Sequence, residues 1–142
     1  MRYGFKSHSQ RISTALLEAA DFFGGRLPEL FGGFGRDHFD EPVPYSTACS
    51  PQAWAATTPI MLIKTLMGYY ADVARGGLWM DPALSESFGD LHIANAPLAE
   101  GRITIDITRS RARVTGLPPG MVFHHGIRPR ATGLVERTDG SE

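Results

Sequence analysis

The chain has 142 residues, room for one ordinary domain with one modest core. Apolar residues make up 42% and charged residues 20%, which excludes a disordered composition. A formal charge of −1 leaves no electrostatic footprint for nucleic acid or an anionic membrane. Cys49 is the single cysteine, so no internal disulfide can form, and Met1 to Lys6 lack the apolar core of a secretory leader. Both features read as a reducing, cytoplasmic setting.

The first predicted element is an amphipathic helix from about Ser9 to Phe23. Ser7 with Gln10 three places later fits a capping box. Ile12, Leu16, Ala19 and Phe23 recur at helical spacing, with Arg11, Ser13, Glu18 and Asp21 off that stripe. Gly24-Gly25 then supplies a C-terminal stop where positive φ is tolerated.

A long loop follows from Arg26 to Cys49, with three prolines, three glycines and the aromatics Phe31, Phe34, Phe39 and Tyr45. Loops of this length are uncommon in compact domains and are usually functional or disordered. Disordered segments are poor in aromatics, so a packed functional loop is expected here.

A second helix is predicted over Pro51 to Met67, with Ser50 as N-cap and Pro51 at the first helical position. Apolar residues cover most of its faces, so it should be buried on nearly all sides. Pro59 should kink it and Gly68 should end it. A membrane span is the poorer reading, because the run from Ala53 to Met67 falls short of the ~20 residues a bilayer requires. Pro59, Lys64 and the threonines also interrupt it.

The remainder is strand-like. Leu78-Trp79-Met80, Leu91-His92-Ile93 and Arg102 to Thr108 are short runs between turn residues. In the last, Ile103, Ile105 and Ile107 alternate with Thr104, Asp106 and Thr108, the pattern of a strand with one buried face. Ala112-Arg113-Val114 can pair back across a tight turn near Ser110. Beyond Met121-Val122-Phe123 the chain turns polar, and a frayed tail is expected from about Gly126. The fold class is therefore α+β. Two helices and a few strands offer too little surface to bury the second helix, which points to a fragment of something larger.

The chemistry-bearing candidate is Glu29, a carboxylate between apolar neighbours in Leu27-Pro28-Glu29-Leu30-Phe31. An acid fixed there by a proline can project into a cleft, where carboxylates do acid or base work. The plainer alternative is a solvated loop residue or a partner for a helix end.

The string Gly25-Arg26-Leu27-Pro28-Glu29-Leu30-Phe31, then Pro42-Val43-Pro44-Tyr45, then Cys49-Ser50-Pro51-Gln52-Ala53-Trp54, resembles the C-terminal signature of glycogen debranching enzymes. The likeness is to their amylo-α-1,6-glucosidase domain, of the six-hairpin glycosidase superfamily. Tyr3-Gly4-Phe5 and Gly116-Leu117-Pro118 look like its bacterial branch, so the resemblance runs over roughly residues 3 to 120.

The resemblance implies an (α/α)6 barrel with the active site among its connecting loops. Residues 1–70 would be its terminal helical hairpin and active-site loop, 71–123 a small antiparallel β appendage, and 124–142 a flexible tail. It also implies inverting hydrolysis of α-1,6-glucosidic branch points in glycogen or limit dextrin, with two carboxyl groups about 6.5–9.5 Å apart. Glu29 matches the general base. Gln52 and Trp54 fall near the site, and Phe34, Tyr45, Gln52 and Trp54 are the candidate substrate contacts. The general acid of the family is an aspartate upstream of anything in this sequence, so the chain carries the base and lacks the acid. Asp37, Asp40 and Glu41 are the local acids, and nothing in their setting suggests a general acid. No cofactor is implied. The implied partners are an α-glucan and the remaining barrel segment on another chain; without that segment the second helix should be exposed. The alternative is a non-catalytic carbohydrate- or partner-binding module.

Other signals have plainer readings. His8, His38, His92 and His124-His125 match no zinc spacing. Gly32-Gly33-Phe34-Gly35-Arg36 is glycine-rich like a phosphate cradle, but no strand precedes it and no helix follows directly. Cys49 near a helix N-terminus could have a lowered pKa, yet no histidine lies at a catalytic spacing. Arg109, Arg111 and Arg113 read as a solvated strand face.

Overall fold

The computed structural model describes residues 5–129. It is an α+β arrangement of a helical hairpin followed by two three-stranded sheets. Helix α1 spans Lys6–Phe22 and helix α2 spans Ala53–Leu66. Among the described residues no helix is long and apolar enough to cross a membrane.

Helix α1 opens earlier than the Ser7/Gln10 motif suggests. Phe5 is its cap, without a side-chain cap bond, and the capping box does not form. Tertiary contacts claim the residues of this first turn instead. Lys6 Nζ lies 2.6 Å from the Asp81 carboxylate, and Gln10 Nε2 donates to the Ala83 carbonyl at 3.0 Å. Both reach across to the strand layer.

The expected stripe of α1 is only partly core. Ala19 is buried, Leu16 and Phe23 are half-buried, and Ile12 faces solvent. Small side chains, Ser13, Ala19 and Ala20, make up the buried face of the helix. Ala19, Ala20, Leu27 and Ala55 form a minor apolar cluster with Phe31 against it. Gly24 and Gly25 end the helix in left-handed conformations at φ 64° and 83°, the conformation a helix stop requires.

Helix α2 begins at Ala53, not Pro51. The Ser50–Pro51 bond is cis and precedes the helix, and the cap is Gln52, whose side chain accepts from the Ala53 N–H. The helix is also not buried all round: only Ala55 and Leu66 are buried within it. Trp54, Ile60 and Met61 are 58%, 69% and 56% exposed. The exposed positions 53, 54, 56, 57, 60, 61 and 64 sweep a continuous arc of about 160° at 3.6 residues per turn. What the sequence marks as a buried helix is thus covered on one side. Gly68 follows at φ 59°, where a Cβ would run into the backbone of Asp81.

The strands are β1 (Tyr70–Asp72), β2 (Gly77–Met80), β3 (Leu91–Leu98), β4 (Gly101–Thr108), β5 (Arg111–Thr115) and β6 (Val122–His125). Strands β3, β4 and β5 form an antiparallel meander. Its middle strand has the predicted alternation: Ile103, Ile105 and Ile107 are at most 1% exposed. Strand β3 runs further than Ile93, with an irregularity between Ile93 and Ala96.

The other sheet has the order β1-β2-β6. It departs from a purely antiparallel appendage, because β6 joins β2 in parallel. The main core lies between this sheet, the meander and the end of α2. It contains Leu66, Met67, Leu78, Met80, Leu84, Leu98, the three β4 isoleucines and Ala112, with Leu17 and Ile63 packed on it from the helices.

The order at the C-terminal end extends past the expected fraying point. His124 and His125 belong to β6, and Gly126 N–H donates to the Met80 carbonyl at 2.7 Å. Arg128 bonds Asp72 at 2.7 Å and lies over the ring of Tyr70. Residues 130–142 of the expected tail lie outside the described residues.

Candidate functional site

The long loop is a hairpin with a closed neck. Phe31 and Pro44 form a β-bridge, flanked by Gly32 N–H to the Val43 carbonyl at 2.8 Å and Tyr45 N–H to the Leu30 carbonyl at 3.0 Å. Glu29 sits at the base of this neck, immediately before Leu30. Asp37 and Asp40 lie in its far turn, beyond the paired residues.

The Glu29 carboxylate reaches across to the segment that leads into α2. Its Oε2 accepts the Cys49 backbone N–H at 2.7 Å, and its Oε1 accepts Gln52 Nε2 at 3.2 Å. Gln52 Oε1 in turn accepts the Ala53 N–H at 2.9 Å. One carboxylate thus ties the loop base to the cap of the helix and the segment before it, across 20 and 23 positions of sequence.

These bonds favour the charged form. The Cys49 N–H lowers the pKa of Glu29 first, opposed by desolvation and then aided by Gln52. The group is an ionised acceptor, the state a general base needs and a general acid does not. Because the folded pKa lies below the ordinary value, the tie is complete above the ordinary glutamate range. It is lost as pH falls through the lowered pKa.

Cys49 is corrected by the same contact. Its thiol bonds the Glu29 carboxylate, and that bond together with the negative charge raises its pKa. The helix N-terminus that could have lowered it begins only at Ala53. Replacing Glu29 by Gln removes the charge, so iodoacetamide should alkylate Cys49 faster in Glu29→Gln than in the parent at mildly alkaline pH. An unchanged rate would mean that thiol and carboxylate are not in contact.

The candidate substrate contacts divide. Gln52 bonds Glu29, and Trp54 is exposed two residues further on, at the second position of α2. Tyr45 is exposed at the neck. Phe34 is exposed in the far part of the loop, where its ring lies 4.9 Å from that of Phe39. These two rings, with Phe31, Arg36 and Glu41, line an open hollow of about 180 Å³. Gln52, Trp54 and Tyr45 do not line it. Of the lining residues only Phe34 is among the candidate substrate contacts; the loop aromatics and the glycine-rich run up to Arg36 were the available signal for the rest.

The histidines occupy ordinary positions. His124 stacks on Trp79, His125 and His8 meet phenylalanine edges, His92 pairs with Asp106 at 2.6 Å and His38 with Asp37 at 3.0 Å. Among the described residues no group of three histidine, cysteine or carboxylate side chains is placed to hold a metal. Arg111 and Arg113 are exposed on β5, and Arg109 lies in the turn before it at φ 52°.

Comparison with protein-family models, with curated proteins and with solved structures returned no match to this chain.

Proposed function

We propose that the chain contributes the terminal helical hairpin and the general base of an inverting α-1,6-glucosidase of the glycogen-debranching kind. The remaining hairpins of its (α/α)6 barrel, and the general acid, lie on polypeptide outside this sequence. In this reading Glu29 takes a proton from water, whose oxygen attacks the anomeric carbon of an α-1,6-linked glucose. The glycosidic oxygen leaves with a proton from the acid on the other segment, and glucose is released with inverted configuration. The substrate is a branched α-glucan such as limit dextrin.

The observation that carries this reading is the placement of Glu29. It is an ionised carboxylate held by Cys49 and Gln52 at the start of a helix whose apolar face is uncovered. A base at the mouth of a helical hairpin needs an opposing wall, and an apolar helix covered on one side needs a neighbour. Further hairpins would supply both.

The test is co-expression with the polypeptide encoded immediately upstream. Glucose should appear from a branched dextrin only when both segments are present, and the isolated chain should release none. If the upstream frame encodes no helical hairpins, or if the two segments together stay inactive, the reading fails.

A second reading, a non-catalytic carbohydrate-binding module, is favoured by the aromatic hollow around Phe34 and Phe39. Binding of a linear dextrin by the isolated chain, lost in Phe34→Ala and kept in Glu29→Gln, would select it.

A further inference from the structure

Gln52 uses both ends of its carboxamide within the protein. The oxygen accepts the first amide of α2 at 2.9 Å, and the nitrogen donates to Glu29 Oε1 at 3.2 Å. The orientation of the amide is dictated by these partners. A backbone N–H can only donate and an ionised carboxylate can only accept, so turning the group over would set donor against donor and acceptor against acceptor. The same side chain therefore caps the helix and fixes one oxygen of the carboxylate. Only one N–H of the amide remains for anything else.

We propose that Gln52 is a positioning residue for Glu29, transmitting the placement of the α2 N-terminus to one carboxylate oxygen through a single carboxamide. Cys49 N–H holds the other oxygen, so the carboxylate is fixed at two points and its plane is set by the segment from Cys49 to Gln52. The two oxygens together keep lone-pair capacity beyond these bonds, which is where a water would be held. Glutamine suits the position better than its neighbours in size or shape. Asparagine is one methylene too short to cap Ala53 and reach Glu29 together. Glutamate can still accept from Ala53, but it offers no donor to Glu29 and sets a second negative charge against it.

That difference separates the two roles of the residue. Gln52→Glu keeps an acceptor for the helix cap and removes the link to Glu29, whereas a helix cap alone would tolerate the change. The inference rests on Glu29 being the base, but the experiment reads the carboxylate itself and needs no hydrolysis. It is a carboxyl NMR titration of the full chain carrying 13C-labelled glutamate, with the Glu29 resonance assigned by its loss in Glu29→Gln. In Gln52→Glu the Glu29 titration should move upward from that of the parent, through the lost donor and the added like charge. In Gln52→Asn, a favourable N-cap, it should move upward by less. Circular dichroism checks that α2 persists, and if Gln52→Glu does not fold, the asparagine variant decides. A Glu29 titration unchanged in the folded variants would make Gln52 a helix cap and nothing more. Failure of the glucosidase assay with the titration shifted would leave the positioning role standing and remove the base role.

Discussion

Glu29→Gln in the two-segment assembly is expected to lower glucose release by a factor of about 10²–10⁴, the usual contribution of a positioned acid or base. The amide keeps the shape of the side chain and its oxygen can still accept the Cys49 N–H, while its NH2 faces the Gln52 donor, so one of the two links at the loop base is kept and the other is lost. What it cannot do is take the proton from water. Because Cys49 and Gln52 stabilise the anion, the acid limb of kcat/KM in the unmutated assembly should fall below the ordinary glutamate value. Activity on that limb should therefore persist into mildly acidic buffer. A variant with more than about a tenth of parental activity would show that another group abstracts the proton, since even the low end of the range is ~100-fold.

The second large effect concerns the fold. Ile105→Ala should destabilise the chain by about 2–5 kcal/mol, as truncations of fully buried isoleucines do. Ile105 is 1% exposed on the middle strand of the meander, between Ile103 and Ile107 along β4. Ile93 and Val114 oppose it on the flanking strands. Neighbours on both sides leave little room for collapse into the space of three lost carbons. Against a total stability of about 5–15 kcal/mol, that is a large share. Thr108→Ala, an exposed residue at the end of the same strand, should change stability by no more than about 0.5 kcal/mol. Urea unfolding of both variants makes the comparison. A cost below about 1 kcal/mol for Ile105→Ala would place the main core elsewhere.

These two positions also mark what the sequence makes legible. The isoleucines of β4 were readable because alternation is local: each side chain declares its face two residues from the next. The turn into β5 was readable for the same reason. Strand β6 was not, since Val122-Phe123-His124-His125 carries no alternation of its own and its partner is β2, far back in the chain. The start of α1 was misread because Ser7 and Gln10 fit a local motif, while the Ala83 carbonyl takes the Gln10 amide. Ser50-Pro51 likewise fits a helix start on local grounds, and the true cap, Gln52, is set by its contact with Glu29. Exposure of Ile12 and of the outer face of α2 breaks a different expectation. Periodicity reports that a face wants cover, not that this chain provides it. At the site, the resemblance placed Glu29, Cys49, Gln52 and Trp54 in one signature, but the bonds among the first three span 20 and 23 positions. No spacing rule reaches that far.

The parallel entry of β6 beside β2 has a consequence for how the chain is made. The β3–β4–β5 meander pairs residues close in sequence and can close on itself as soon as Thr115 has emerged. Leu78 and Met80, although translated earlier, sit on a strand whose far edge stays open until Val122–His125 arrives, because Gly77 pairs with Val122 and Met80 with His125. Loop closure over such a span is entropically slow compared with a hairpin. During synthesis, therefore, β2 waits with one edge open until the chain has reached His125, after the meander can already have closed.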